Sequence, residues 1–283
     1  MKKIILDTDI GTDVDDAIAL MYCLNNPEIE LLAVTTVHGN AQLRAKIAKK
    51  YIEDRKIPVD AGIDKPLAKK ETYWMGHEGK GILDGTEESV EQGAVDLLYK
   101  TISTNKDAAL VCIGPLTNIA ALLQQKPEVK RQIKEIYFMG SVVEKKGMFI
   151  PNYEKHNIKV DPEAADVVFN SGIELKIITT ELSKGISISK EEFEELKDRR
   201  KPFTEYLYQN AMHYMDARKQ EVCYLYDPLT ALAAAEPELI KFETKGKISV
   251  SQSTNLDECK NKILEAVLTT ALLTNKSAYR DVG

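Results

Sequence analysis

Five carboxylates crowd into ten residues near the start of the chain: Asp7, Asp9, Asp13, Asp15 and Asp16, within Asp7-Thr8-Asp9-Ile10-Gly11-Thr12-Asp13-Val14-Asp15-Asp16. Unpaired, these charges repel one another, and ordering them in one loop is costly. A hard divalent cation removes that cost, since calcium takes about six to eight oxygen ligands. Asp9, just after an apolar run, and Asp16, at the start of a helical pattern, can grip one ion from two sides. The helix N-terminus favours the same negative charge. An ordinary capped turn accounts for Asp15 or Asp16 but not for all five acids. The loop is no EF-hand: with Asp7 as the first position, Thr12 stands where glycine is required and Ile18 where glutamate is.

Such a loop needs a scaffold, and the chain alternates strand and helix. Residues 3–6 form a short apolar strand, and residues 17–24 a helix with Asp15 and Asp16 placed to cap it. The β-branched run 29–37 reads as a strand buried on both faces. Further strands are expected at 57–59, 108–113, 133–139 and 175–180. Helices are expected at 41–53, 89–103, 117–125 and 162–170, the last with Asp161 as cap and Pro162 at its first position. This spacing predicts an α/β fold with a mostly parallel central sheet, right-handed crossovers and helices on both faces. Beyond Ser187 come extra C-terminal helices at 191–199, 202–218 and 228–235, a last strand at 247–250 and a terminal helix at 261–274. No linker or composition step divides the chain, so residues 1–283 are read as a single domain. Ligands of open parallel sheets bind beyond the carboxyl ends of the strands. Four polar turns lie there: the acidic loop, His38-Gly39-Asn40, the segment from Gly114 to Asn118, and Gly140-Ser141.

Composition narrows the partners. The net charge of -6 gives no electrostatic reason to expect nucleic acid or an anionic membrane. No stretch approaches the roughly 20 apolar residues of a membrane span. The apolar run after Lys2 and Lys3 is too short for a secretory signal. Cys23, Cys112, Cys223 and Cys259 form no C-x-x-C pair, so reduced thiols and a cytoplasmic location are expected.

The run Leu6-Asp7-Thr8-Asp9-Ile10-Gly11, followed by Asp15-Asp16-Ala17-Ile18-Ala19, resembles the signature of the inosine–uridine preferring nucleoside hydrolases. Four more segments resemble that family in its order: Thr36-Val37-His38-Gly39-Asn40, Ile113-Gly114-Pro115-Leu116-Thr117-Asn118-Ile119-Ala120, Phe138-Met139-Gly140, and Asn157-Ile158-Lys159-Val160-Asp161-Pro162-Glu163-Ala164-Ala165. The resemblance implies a Rossmann-like nucleoside hydrolase fold and hydrolysis of the N-glycosidic bond of ribonucleosides. A calcium-bound water, activated by Asp9, would attack. It further implies Asp9, Asp16, the Ile113 carbonyl and Asp227 as calcium ligands, and Asp15, Asn40, Glu154 and Asn157 as ribose ligands. A homodimer or homotetramer is the implied assembly. The chemistry is coherent, because the reaction passes through an oxocarbenium-like state that nearby carboxylates stabilise.

The chain departs from the family pattern in three places. Thr12-Asp13-Val14 lengthens the acidic loop, so Asp13 is an alternative to Asp15. One residue is inserted between Glu154 and Asn157. Tyr226 stands where the best-known branch has a histidine that serves as acid for the departing base. A phenol is a poor acid at neutral pH, so Tyr226, His77 and Tyr224 are all candidates for that role, with Trp74 as a stacking residue. His38 is balanced between function and packing, His156 is read as a solvated loop residue, and His213 as lying on a helix face. Tyr206, Tyr208 and Tyr214 are read as packing residues and Asn118 as a brace for its turn. Two other functions fit the acidic loop less completely. One is a haloacid-dehalogenase-type phosphatase with Asp7 as nucleophile. The other is a calcium and ribose binding module without turnover.

Overall fold

Side chains along the first strand alternate between two cores, and that alternation sets the architecture. Ile4 and Leu6 enter one apolar cluster, Ile5 the other. The computed structural model describes residues 1–68, 76–199 and 203–268. Its strands are β1 (Lys2–Thr8), β2 (Ile29–Thr36), β3 (Val59–Ala61), β4 (Ala109–Cys112), β5 (Glu135–Gly140), β6 (Val142–Lys145), β7 (Met148–Pro151), β8 (Glu174–Thr179), β9 (Ser187–Ser189), β10 (Val222–Tyr224), β11 (Lys241–Lys245) and β12 (Ile248–Ser253). Its helices are α1 (Asp15–Asn25), α2 (Ala41–Ile52), α3 (Ala94–Thr104), α4 (Thr117–Gln125), α5 (His156–Val160), α6 (Pro162–Phe169), α7 (Thr180–Ser183), α8 (Lys190–Leu196), α9 (Phe203–Arg218), α10 (Tyr226–Ala235) and α11 (Leu256–Leu268). Trp74 and residues 269–274 of the expected terminal helix lie outside the described residues.

Eight strands form one sheet in the order β11-β12-β8-β5-β4-β1-β2-β3. Every neighbouring pair is parallel except β11 with β12. Helices α1, α2, α9, α10 and α11 cover the face of Ile4 and Leu6. Helices α3, α4 and α6 cover the face of Ile5. From β1 the chain moves outward to β2 and β3, then returns to place β4 on the other side of β1. That reversal opens a crevice beyond the carboxyl ends of β1 and β4, where open α/β sheets bind ligands. No helix among the described residues is long and apolar enough to cross a membrane.

Local differences from the sequence reading have physical causes. α1 is preceded by Val14, which makes no side-chain cap. Asp15 and Asp16 are not its caps; they lie in its first turn. α3 starts at Ala94 rather than Ser89, because Gln42 ties down the Val90 backbone through its side-chain amide, accepting from Val90 N at 3.0 Å. The hairpin β6–β7 turns at Lys146 and Gly147, both at positive φ (53° and 76°), as a tight two-residue hairpin turn demands. Strand β11 has the sequence Lys-Phe-Glu-Thr-Lys, whose charges suit a solvated sheet edge and hide its strand character.

Asp161 does cap α6, accepting from Ala164 N at 3.1 Å, and its other oxygen accepts from Thr117 Oγ1 (2.7 Å) and Leu67 N (2.8 Å). It is wholly buried and joins three segments near the crevice. Asp161→Ala is expected to lower the unfolding free energy by about 2–4 kcal/mol, since a cap and two buried donors lose their acceptor. Urea denaturation followed by circular dichroism measures this.

Candidate active site

The acidic loop leaves β1, crosses the mouth of the crevice and enters α1. Carboxylate oxygens of Asp13, Asp15, Asp16 and Asp227 all lie within 4.8 Å of one another. Asp227 comes from the first turn of α10, and its backbone N–H donates to Asp15 Oδ2 at 3.3 Å. The N-termini of α1 and α10 therefore both meet the cluster, each favouring negative charge. Asp16 also accepts a short hydrogen bond from Thr8 Oγ1. Burial, followed by the neighbouring carboxylates, holds Asp15, Asp16 and Asp227 well above the usual carboxylate range. So much uncompensated charge on hard oxygen donors suits a divalent metal ion. Asp13, held in reserve as an alternative to Asp15, joins Asp15 in the same cluster.

Asp9 faces the same cleft, which has a volume of about 250 Å3. Its position depends on the close approach of Gly114, where an added Cβ would lie 2.9 Å from Asp9 Oδ1 and 2.9 Å from Val37 Cγ1. Burial raises the pKa of Asp9, while Arg44 and His156 pull it down. The Ile113 carbonyl at the end of β4 lines the cleft and accepts from Asn157 Nδ2 at 2.8 Å. A carbonyl has a second lone pair, so this bond leaves Ile113 able to ligate a metal. Asn157 Nδ2 also donates to the Met139 carbonyl at 3.1 Å, spanning the ends of β4 and β5.

Of the remaining sequence candidates, Asp15, Asn157, Tyr226 and Asp227 line the cleft, whereas Asn40, Glu154 and His77 do not. Asn40 is exposed and serves as the N-cap of α2, accepting from Leu43 N at 2.9 Å. Glu154 is exposed, and Lys155 and His156, between it and Asn157, line the cleft. The Nε2 of His77 donates to the Thr12 carbonyl at 2.5 Å, and the adjacent Glu78 accepts from Thr12 Oγ1 at 3.2 Å. This loop thus braces the acidic loop from outside. Tyr226 packs at 5.4 Å from the ring of Tyr224, and burial together with Asp15 pushes its phenol above the usual tyrosine range. Tyr214, read as a packing residue, lines the cleft with Arg218, whose guanidinium sits 5.9 Å from the Tyr214 ring centre. Tyr206 does pack, edge-on against Tyr51. His38 is buried with φ 69° and gives its carbonyl to Arg44.

Asp7 is fully buried on the α4 side of the sheet, outside the cleft. Its Oδ1 accepts from Thr35 Oγ1 (2.5 Å) and Asn118 Nδ2 (2.8 Å). Asn118 Oδ1 in turn accepts from Ile63 N at 3.0 Å, so Asn118 braces its turn. With no path to the cleft, Asp7 cannot serve as a phosphatase nucleophile. Arg44 was missed altogether. Only 1% exposed, it reaches from α2 and donates to the carbonyls of Asp9, Ile10 (2.9 Å) and His38 (2.8 Å), and to Thr12 Oγ1 (3.0 Å). Its one sequence signal is its register with Ala41, Ala45 and Ala48 on the apolar face of α2.

Two outcomes follow. Asp7 has its pKa raised by burial to about 7, so the folded state binds a proton that the unfolded chain gives up near pH 4. Stability of the metal-free protein is therefore expected to be lost as pH rises through about 7 and regained toward pH 5. Melting curves in chelator across that range check it. Arg44→Met should weaken divalent-cation binding about tenfold or more, measured by calorimetry, because the loop loses the donors that hold its backbone.

A profile of the family described as inosine-uridine preferring nucleoside hydrolase matches residues 4–272. A probable uridine nucleosidase 1 from Oryza sativa subsp. japonica is 27% identical over 265 residues, covering 88% of this chain and 81% of that protein. The pyrimidine-specific ribonucleoside hydrolase RihB from Escherichia coli O9:H4 (strain HS) is 36% identical over 193 residues, covering 64% of this chain and 60% of that protein. The solved structure of a plant nucleoside hydrolase, the PpNRh1 enzyme, has the same fold, with a TM-score of 0.78 and 22% identity over 95% of this chain and 99% of that one. A sheet reversal at β1 and β4, a carboxylate cluster beneath it and a match over nearly the whole length agree. This chain belongs to the inosine-uridine preferring nucleoside hydrolase family and is an enzyme that hydrolyses the N-glycosidic bond of ribonucleosides.

Proposed function

We propose that the cleft binds calcium and a ribonucleoside together, and that Asp9 is the base that takes the proton from the attacking water. The observation that carries this reading is the placement of Asp9 and the four clustered carboxylates on one cleft that also contains an aromatic wall. Asp9, Asp16, Asp227 and the Ile113 carbonyl are assigned to the ion, with Asp13 close enough to join them. When bound, calcium supplies the positive charge that the cluster lacks and Lewis acidity toward water and the ribose hydroxyls.

Asp15 and Asn157 are assigned to the ribose. Gripping the sugar fixes C1′ against the water near Asp9. The carboxylates below the ring stabilise the positive charge that develops on C1′ and the ring oxygen. Tyr214 and Tyr226 offer faces for the base, and the Arg218 guanidinium offers donors that need no deprotonation. Tyr226 is assigned as a hydrogen-bond donor to the leaving base, and His77 as a positioning residue acting through Thr12. We further propose that residues 1–283 work as one domain within a homodimer or homotetramer in the cytoplasm. The four cysteines are buried free thiols, the form that a reducing compartment maintains.

The test is incubation with inosine, uridine, cytidine and adenosine, reading free ribose with calcium, with chelator and with Asp9→Ala. Calcium-dependent release that falls about 10²–10⁴-fold in Asp9→Ala is expected, the usual worth of a general base. If calcium binds by calorimetry but no nucleoside yields ribose, the simple hydrolase reading fails, and a binding module without turnover takes its place.

A further inference from the structure

Breaking a C1′–N bond makes the base carry off an electron pair, and that charge has to be received somewhere. Among the described residues that line the cleft, the aromatic side chains are Tyr214, from α9, and Tyr226, from the first turn of α10. These are the faces assigned above to the base. Tyr226 stands where the best-known branch of the family has a histidine, and a phenol is a poor acid at neutral pH. A fixed positive charge beside the base does the same work without giving up a proton.

The lysine and arginine side chains of this region have different surroundings. The Lys155 ammonium is ion-paired with Glu181. Arg44 is buried and donates to the carbonyls of the acidic loop. Arg218 adjoins the aromatic wall. It follows Tyr214 by one turn on the same face of α9, and its guanidinium sits 5.9 Å from the Tyr214 ring centre. The ring attracts the cation, and the last turn of a helix favours positive charge, so the guanidinium is held from two sides. Its charge is felt in the cleft: burial, then Asp13 and Asp15, push the Tyr214 phenol up, and Arg218 pulls it down. Arg218 is exposed while lining the cleft, which places it at the mouth, where a base must leave. A guanidinium stays charged at every working pH.

We propose that the base leaves as an anion and that Arg218 is the catalytic residue that stabilises it, with Tyr214 holding the guanidinium in place. This inference rests on the hydrolase reading above and adds the fate of the leaving group. In the reaction the C1′–N bond breaks and its electron pair stays with the base nitrogen. In a base such as uracil the pair spreads onto the ring carbonyl oxygens, which accept from the guanidinium N–H groups. The water oxygen bonds to C1′, and one water proton passes to Asp9. The base anion takes a proton from solvent after release, and Asp9 returns its own to solvent. The products are ribose and the neutral base, and no side chain has to protonate the base while the bond breaks.

The experiment compares the wild-type protein with Arg218→Met and Arg218→Lys, in calcium, on uridine, 5-fluorouridine and 4-nitrophenyl riboside. Fluorine stabilises the base anion, and nitrophenolate departs with the least help. Arg218→Met is expected to lower kcat on uridine by about 10–100-fold, the worth of a charge-assisted bond. The loss should be smaller on 5-fluorouridine and smallest on the nitrophenyl riboside. Arg218→Lys should restore part of the uridine rate, because it keeps the charge and loses the fork of donors. An equal loss on all three substrates, a loss confined to KM, or no loss overturns the proposal and leaves the hydrolase reading standing. Wild-type turnover of the nitrophenyl riboside alone overturns the proposal as well. No release from any of the three by the wild-type protein overturns the hydrolase reading itself.

Discussion

Negative charge gathered in a buried place is the constraint on which this molecule turns. Asp9, Asp15, Asp16 and Asp227 are all nearly or fully enclosed, and each pays for ionisation in lost hydration. The fold answers with dipoles and donors. Helices α1 and α10, far apart in sequence, both bring their N-termini to the cluster, and Thr8 gives its hydroxyl to Asp16. Arg44 acts on the backbone: it takes loop carbonyls, and so shapes the loop while leaving the carboxylates to an ion. A network that holds the frame without neutralising the donors is what a metal centre requires, because ligands satisfied in advance by a guanidinium would have nothing to gain from a cation.

The crevice at β1 and β4 gives that charge a working geometry. Gly114 lets the turn after β4 close onto Asp9 within contact distance, which no residue with a side chain can do. Asn157 ties the Ile113 carbonyl to the end of β5, and Asp161 ties the turn after β4 to the start of α6. The cleft residues thus come from the ends of β1, β4 and β5 and from helices α9 and α10, all packed on one sheet. The required alignment arises from sheet register, and the loops carry only the chemical groups.

The cleft carries side chains of both signs. Acids from the loop after β1 and from α10 cluster on one part of it. Lys155, just before α5, and Arg218, in the last turn of α9, line the same cleft. In the loop before Asn157, Glu154 faces solvent while Lys155 and His156 line the cleft.

The sequence by itself determined the layered α/β fold, the parallel strands and the acidic loop. Each rests on local pattern: a β-branched run for β2, a short apolar run for β4, helical patterns for α4 and α6, and carboxylate density too great for a turn. It also pointed to Asp9, Asp16 and Asp227 through motifs held in order. It did not reveal that Asn40 is used as a helix cap, that His77 faces the outside of the loop, or that Arg44, Tyr214 and Arg218 matter to the cleft. Those facts depend on which elements meet across long separations, and a residue's type is the same whether it caps a helix or faces a ligand. Local pattern fixes which way a side chain points from its own helix or strand; only tertiary packing decides what stands opposite it, and in a buried, charged cleft that opposite partner sets the role.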